Sequence, residues 1–466
     1  MGFSNKQRWG ESMAFIIDED VQRIISIVEN NGEEAYMVGG CIRDMLMDKK
    51  PKDWDLTTSA LPNKILDLFK KTEFKGIDLS KKHGTIVLVK DNKQYEITTF
   101  RKEDEYTDYR HPDQVTFVKK LSKDLQRRDF TMNALAYSES KGLVDLFKGQ
   151  EAIKNKIIKC VGKPKKRFKE DALRILRGIR FSAQLDFHIE KKTLKAMVED
   201  HQLIKMVSME RLQSEFNKII LSNHPSKGLS LLKKIGALEI IIPELKCMYN
   251  FEQHNPNHHL DVFEHSLGVL ENTPKDIYLR LAAIFHDIGK PETFKKDGEG
   301  IGHFYNHEKK SLEITEKVLK RMRYSNEIIE KTLKIIDEHM TVYNDDFSDK
   351  AVKRLIRRVE SIGIDRLIAF QIADIKGTSN PEKYQHVLAL KERVEKIKNR
   401  KDPLSIRDLA IDGNDLMALG IAEGVKIGNI LDYLLQEVLE NPKLNTQKSL
   451  RIIAEETIDK NLYNRD

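Results

Sequence analysis

Cysteine is scarce in this chain. Cys41, Cys160 and Cys247 are the whole complement among 466 residues, and they stand far apart with no C-x-x-C pair. That pattern excludes a disulfide framework and a cysteine-built zinc knuckle, and it points to a reducing compartment. Long apolar runs are missing too. No segment reaches the roughly 18 apolar residues of a membrane span, and the N-terminus lacks the basic-then-apolar order of a signal peptide. A cytoplasmic protein with no membrane attachment is therefore expected. Repeats of roughly 20–50 residues and low-complexity tracts are also absent, so a solenoid, a propeller or a biased tail is not expected.

What is present fits a folded, soluble, multidomain chain. Hydrophobic residues make up 40% and charged residues 33%, enough for packed cores under a solvated surface. A net charge of +7 suits a polyanionic partner. Residues 1–17 are polar. Val21, Ile24, Ile25 and Val28 follow helical spacing, and Ala35–Val38 reads as a short buried strand. Asp53–Thr57, Thr85–Val89, Gln94–Thr99 and Val115–Val118 read as further strands, with a turn at Asp91-Asn92. Residues 102–114 are polar and aperiodic and read as a loop. From about residue 124 the pattern turns helical and stays so. The expected fold class is α+β: a small head with a mixed sheet, then an all-helical neck, body and tail. The boundaries are 1–20 for an N-terminal extension, 21–150 for the head, 151–225 for the neck, 226–400 for the body and 401–466 for the tail. Asn223-His224-Pro225 and Lys401-Asp402-Pro403 mark breaks, and Ile411-Asp412-Gly413-Asn414-Asp415 reads as a turn with a helix cap.

The chemistry begins at Asp53-Trp54-Asp55, preceded by Gly39-Gly40-Cys41-Ile42-Arg43-Asp44. On a strand, residues i and i+2 face one side, so Asp53 and Asp55 would share a patch of space. Carboxylates that close repel unless a cation lies between them. Mg²⁺ prefers such hard oxygen ligands and often bridges to phosphates. The glycine pair lets the backbone approach those phosphates. A solvated loop is the plain alternative for a lone D-x-D, but the ordered combination suggests nucleotidyl transfer. Arg127 and Arg128 can face a triphosphate. Asp129 and Asn133 lie four apart, share a face if helical, and suit a ribose 2′-OH and 3′-OH. An N-capped helix with exposed arginines is the other reading. Asp171 and Arg174 are i,i+3 neighbours in an expected helix, and they are either a surface ion pair or a base reader. A carboxylate accepts from an amino group and a guanidinium donates to a ring nitrogen. That edge pattern belongs to cytosine and adenine and is reversed in uracil and guanine.

The runs GGCIRD, DWDLTTSA, EITTFR, RRDFTMNALAY and EDALRILRGIRF, in this order, resemble the class II tRNA nucleotidyltransferase and bacterial poly(A) polymerase family. MERLQSEFNKII (Met209–Ile220) is similar to that family's neck motif, and DLAIDGNDLM (Asp408–Met417) to its tail. The resemblance implies catalytic, Mg²⁺-binding roles for Asp53 and Asp55, with Glu96 as a third acidic contributor. It implies nucleotide binding by Gly39, Gly40, Arg43, Arg128, Asp129, Asn133, Asp171, Arg174 and Arg177. It implies CTP and ATP as substrates, tRNA as partner, and addition of C, C and A to tRNA 3′ ends. The loop at 102–114 matches one that such enzymes use when changing from C to A. The arginine-rich phosphate signature of poly(A) polymerases is not found. An A-only or poly(A) polymerase of the same family is the alternative. Lys163, Lys165, Lys166 and Arg167 either contact RNA phosphates or form a solvated charge run.

A second constellation lies in the body. His265, His286-Asp287, His307, His339 and Asp374 follow one another, with His303 between. Imidazoles and carboxylates together suit a transition metal such as Ni²⁺, Mn²⁺ or Co²⁺. His286 and Asp287 would point about 100° apart on a helix, so ligands from other helices must converge on them. The order H…HD…D resembles the HD phosphohydrolase family. The resemblance implies water activation against a phosphoester, or else a vestigial helical domain. An RNA-binding or signalling protein with an active HD domain is a third reading of the whole chain.

Overall fold

The computed structural model describes residues 15–80, 84–103, 115–254, 260–341, 348–378, 384–421 and 424–459. The expected loop at 102–114 lies outside them except for Lys102 and Glu103, which are in a strand. Most of the N-terminal extension also lies outside. The chain divides into two compact units, Met1–Ile241 and Ile242–Asp466.

The first unit opens with helix Glu19–Asn30. Its N-cap, Asp18, accepts from the amide of Asp20, and Val21, Ile24, Ile25 and Val28 are buried along one face. The strands follow: β1 Ala35–Val38, β2 Asp55–Thr58, β3 Lys75–Ser80, β4 Thr85–Lys90, β5 Lys93–Thr99, β6 Arg101–Glu103, β7 Val115–Phe117, β8 Leu135–Ser138 and β9 Gly142–Asp145. Seven form one mixed sheet in the order β3-β4-β5-β2-β1-β8-β9. Strands β2 and β5 pair in parallel, and the other neighbours are antiparallel. Strands β6 and β7 pair separately. The central β1 is buried at all four positions, as its apolar sequence requires. The turn at Asp91-Asn92 closes β4 on β5, with both residues at positive φ (47° and 63°).

The structure departs from the sequence expectation at three places. Strand β2 starts at Asp55, so Asp53 lies in the bend before it. The chain does not stay helical from residue 124. Thr131–Asn133 is a single 3-10 turn, and Leu135–Ser138 and Gly142–Asp145 complete the sheet. Asp129 therefore precedes the turn rather than sharing an α-helix with Asn133. The run 170–181 is also not one helix. Helix Pro164–Glu170 ends at Asp171, whose φ of −146° and ψ of 107° are extended, and helix Leu173–Leu185 starts two residues later. That second helix packs against helices Met209–Ile220 and Pro225–Lys234.

Among the described residues, the regular structure of the second unit is helical apart from the two-residue strands Lys295–Lys296 and Gly302–His303. Helices Val262–Asn272, Ile277–Phe285, His307–Arg321, Asn326–Glu338 and Ile364–Lys376 form its main bundle. A Cβ on Gly268 would meet the Gly377 Cα at 3.2 Å, so glycine on both sides lets helix Val262–Asn272 ride close over the end of Ile364–Lys376. Towards the C-terminus, Leu416, Leu434, Leu435, Val438 and Leu450 form a separate apolar cluster. Asp412 closes a capping box on helix Gly413–Ala418, as its sequence foretells. Buried Lys353 ties this part down, 2.8 Å from Asp402 and donating to the Leu439 carbonyl.

Candidate active site and metal centre

In the first unit a cavity of about 470 Å³ opens beside the sheet. Gly39 has φ +83°, and a Cβ there would press on Arg128 Nη1 at 3.0 Å. This position therefore admits glycine alone, and its backbone borders the cavity. Buried Arg43, on helix Gly40–Leu46, donates through Nη1 to Asn133 Oδ1 (2.8 Å) and through Nε and Nη2 to Asp44. Arg127, Arg128, Arg180 and Arg211 add to the basic lining.

The acidic edge comes from two paired strands. Asp55, the first residue of β2, is the register partner of Glu96 on β5. Burial raises the Asp55 carboxyl, the Arg128 charge lowers it, and Asp53 raises it again; the net shift is upward. Burial and then the charges of Asp55 and Asp53 likewise raise Glu96. Two carboxylates held against ionising beside the charge of Asp53 are what a hard cation relieves, so the donor set fits Mg²⁺. Their oxygens are not drawn into a tight cluster. Among the described residues, the groups of three or more ligand atoms within 4.8 Å of one another both lie in the second unit.

Asp129 is buried and saturated. Its Oδ1 accepts from the Phe130 amide (2.7 Å) and Asn133 Nδ2 (3.3 Å), and its Oδ2 accepts from Arg177 Nε (2.8 Å) and Nη2 (2.6 Å). Burial works against its charge, but the Arg177 guanidinium more than compensates and brings the carboxyl down to about 2. The 3-10 turn thus still places Asn133 beside Asp129, although not by α-helical spacing.

Asp171 and Arg174 both border the cavity but do not pair with each other. Asp171 accepts from Arg211 Nη2 at 3.2 and 3.0 Å and from the Leu173 amide. Arg174 donates Nη1 to Glu170 (2.7 Å) and the Arg167 carbonyl, and Nη2 to the Arg127 carbonyl (3.0 Å). The reading of these residues as a mutual surface ion pair does not survive. Each is fixed from behind by a different neighbour. Arg211 lies in the neck run Met209–Ile220, but its part here was not foreseen. Arg167 is buried and holds Glu170 and the Gln126 carbonyl, so it does not belong to a surface charge run. Lys163, Lys165 and Lys166 are exposed.

The second unit carries a buried histidine–carboxylate centre. His265, His286 and Asp374 form one group, and Asp287, His307 and His339 another. His265 Nε2 lies 3.1 Å from Asp374 Oδ1 and 3.3 Å from His286 Nε2. Asp287 faces both groups. Its Oδ2 is 3.3 Å from His286 Nε2 and 3.5 Å from His265 Nε2, and its Oδ1 is 3.4 Å from His307 Nε2. Helix Ile277–Phe285 is capped by His286, which keeps right-handed helical dihedrals (φ −54°, ψ −36°), and His286 and Asp287 are both buried where ligands from other helices converge. Each imidazole turns Nδ1 to a carbonyl: His265 to Gly377, His286 to Ala283, His307 to Phe304 and His339 to Ile336. With Nδ1 donating, each Nε2 is turned to the centre, where the neutral ring offers a lone pair. Among the described residues, buried His307 Nε2 and His339 Nε2 have no hydrogen-bond partner. Burial disfavours the His286 imidazolium, but Asp287 and Asp374 more than offset it and push it up to about 10. His339, buried and facing His286, falls to about 4. The donor set fits a transition metal. His303 stays outside, at Asp297 Oδ2 (2.8 Å). Lys290, not foreseen, is buried 2.7 Å from Asp287 Oδ2.

Comparison with known proteins adds three domain matches. Residues 35–159 match the poly A polymerase head domain, residues 186–248 the probable RNA and SrmB-binding site of polymerase A, and residues 258–402 the HD domain. The CCA-adding enzyme of Geobacillus sp. (strain WCH70) is 48% identical over 227 residues, 49% of this chain and 55% of that protein. The CCA-adding enzyme of Staphylococcus epidermidis is 43% identical over 271 residues, 57% of this chain and 65% of that protein. The match thus spans little more than half the length of such relatives. The crystal structure of the Bacillus stearothermophilus CCA-adding enzyme in complex with CTP has a TM-score of 0.68 at 26% identity, covering 95% of this chain and 98% of that one. No helix among the described residues is long and apolar enough to cross a membrane.

Proposed function

We propose that this chain, which belongs to the bacterial tRNA nucleotidyltransferase and poly(A) polymerase family with an HD domain, adds C, C and A to tRNA 3′ ends in the cytoplasm, using CTP and ATP. The observation that carries this reading is one cavity bordered by Gly39, Asp55, an arginine floor, Asp129 with Asn133, and Asp171 with Arg174. Backbone at Gly39 and Gly40, with Arg43 and Arg128, would hold the phosphates. A ribose hydroxyl would meet Asp129 by replacing its longest contact, the 3.3 Å bond from Asn133. Asp171 would accept from the exocyclic amino group of C or A, and Arg174 would donate to the adjacent ring nitrogen. Uracil and guanine present the reverse pattern, so selection comes from protein rather than from a template.

Asp53 and Asp55, with Glu96 beside them, are the residues to hold Mg²⁺, which supplies charge neutralisation at the α-phosphate and the leaving pyrophosphate. The terminal ribose 3′-hydroxyl gives up its proton to solvent as its oxygen forms the bond to the α-phosphorus, the α–β bridging P–O bond breaks, and pyrophosphate leaves with the electron pair. The arginine floor holds the phosphates in line for that exchange.

The buried centre of the second unit is read as a phosphohydrolase site. His265, His286, Asp374, Asp287, His307 and His339 would hold Ni²⁺, Mn²⁺ or Co²⁺, which lowers the pKa of water when bound. The water oxygen forms a bond to phosphorus, the ester P–O bond breaks, and the leaving oxygen takes a proton. A 2′,3′-cyclic or terminal phosphate on damaged tRNA would join the two activities: one clears the 3′ end and the other extends it.

Titration of the protein with each of the four nucleoside triphosphates tests the base-reading cavity. CTP and ATP should bind at least about 10-fold more tightly than UTP and GTP. Equal affinity for all four would remove the role given to Asp171 and Arg174.

A further inference from the structure

The segment His303–His307 alternates between solvent and the metal centre. His303 and Tyr305 turn outward, and their rings stack in parallel, 5.5 Å apart at 4°. Tyr305 is 66% exposed, an unusual position for an aromatic ring. Phe304, between them, turns inward, with its ring under the Lys290 ammonium and its carbonyl on His307 Nδ1 at 2.9 Å. Asn306 then takes a left-handed conformation (φ 58°), and His307 points Nε2 at Asp287. Asp297 fixes the edge of His303. The paired strand adds Lys295, the register partner of His303, and Lys296, both exposed.

We infer that Tyr305, backed by His303, is a stacking platform for the base of a 3′-terminal nucleotide of RNA whose phosphate lies at the histidine–carboxylate centre. Tyr305 and His307 are two residues apart, so their Cα atoms are at most about 7.6 Å apart. Every base has a π-face, so such a platform accepts any terminal base. Lys295 and Lys296 extend the site along a polyanionic strand, whereas a small phosphoester would meet neither feature. Asp297 and Glu299 are the acidic groups of the same turn, and Asp297 is already engaged with His303. The inference rests on the phosphohydrolase reading for its chemistry, but not for the stacking itself.

The test uses the full-length protein loaded with Ni²⁺. The probes are a short RNA ending in 2-aminopurine 3′-phosphate, and glycerol 2-phosphate as a substrate without a base. Wild type and Tyr305→Phe should quench the terminal fluorophore, and Tyr305→Ala should not. The Ala variant should raise KM for the RNA about 10-fold and leave hydrolysis of glycerol 2-phosphate unchanged. Undiminished quenching and an unchanged KM in Tyr305→Ala would overturn the platform, and so would equal slowing of both substrates. If wild type hydrolyses neither substrate while quenching still depends on Tyr305, the stacking site stands and the hydrolytic reading falls.

Discussion

Arg177 gives two hydrogen bonds to one oxygen of Asp129, from Nε at 2.8 Å and Nη2 at 2.6 Å. The carboxylate is nearly inaccessible, so the pair sustains a charge that burial alone would not. The folded carboxyl sits at about 2, below its ordinary 3.8. A depressed acid contributes stability above its unfolded pKa and loses it as pH falls towards the folded value. The contribution is roughly 2–3 kcal/mol at neutral pH. Arg177→Met leaves the carboxylate unpaired and should cost about 3–5 kcal/mol. Thermal unfolding between pH 2 and 7 should show wild type losing stability mainly below pH 4, with the variant flatter there. Coincident pH profiles would contradict the pair's energetic role.

Asp55 sits opposite Glu96 and near Asp53, and its carboxyl is raised. A raised acid has the opposite sign: its ionised form opposes folding as pH rises past the unfolded value. Asp55→Asn should therefore raise the melting temperature of metal-free protein at neutral pH and lower nucleotide addition by roughly 10³-fold. A variant that loses both stability and activity would mark Asp55 as structural.

Arg174 is anchored by Glu170 and two carbonyls, so its guanidinium is pre-oriented. Arg174→Ala should admit UTP and GTP, narrowing the preference for CTP and ATP by roughly 10-fold or more. Arg211→Ala, which frees Asp171, should act in the same direction and more weakly. Uniform slowing with selectivity intact would assign both residues to packing.

The histidine centre gives a prediction independent of turnover. Ni²⁺, Mn²⁺ or Co²⁺ should raise the melting temperature, since a ligand at 100 times its Kd adds about 2.7 kcal/mol. The double variant His286→Ala, Asp287→Ala should lose that shift and the bound metal while keeping nucleotide addition. Elemental analysis showing no metal in wild-type protein after loading would support a vestigial centre.

The α+β head and the helical remainder were legible in the sequence because period and motif order carry them, and the residues that the motifs single out meet at one cavity and one buried cluster. Val21, Ile24, Ile25 and Val28 announced their helix, and the turn at Asp91-Asn92 its hairpin. The failures have physical causes. Leu135–Ser138 reads as helix by its leucine and alanine, but pairing with Ala35–Val38 and Gly142–Asp145 overrides that propensity. No glycine or proline announces the break at Asp171, where its side chain is held by Arg211. That contact spans 40 residues, beyond what any local spacing can report.

The most direct measurement is extension of a tRNA lacking its last three nucleotides, with each nucleoside triphosphate alone and then all four together. Two C additions are expected with CTP alone, completion to CCA with CTP and ATP, and no use of UTP or GTP. Long A tails from ATP alone, or no addition with the mixture, would contradict CCA addition.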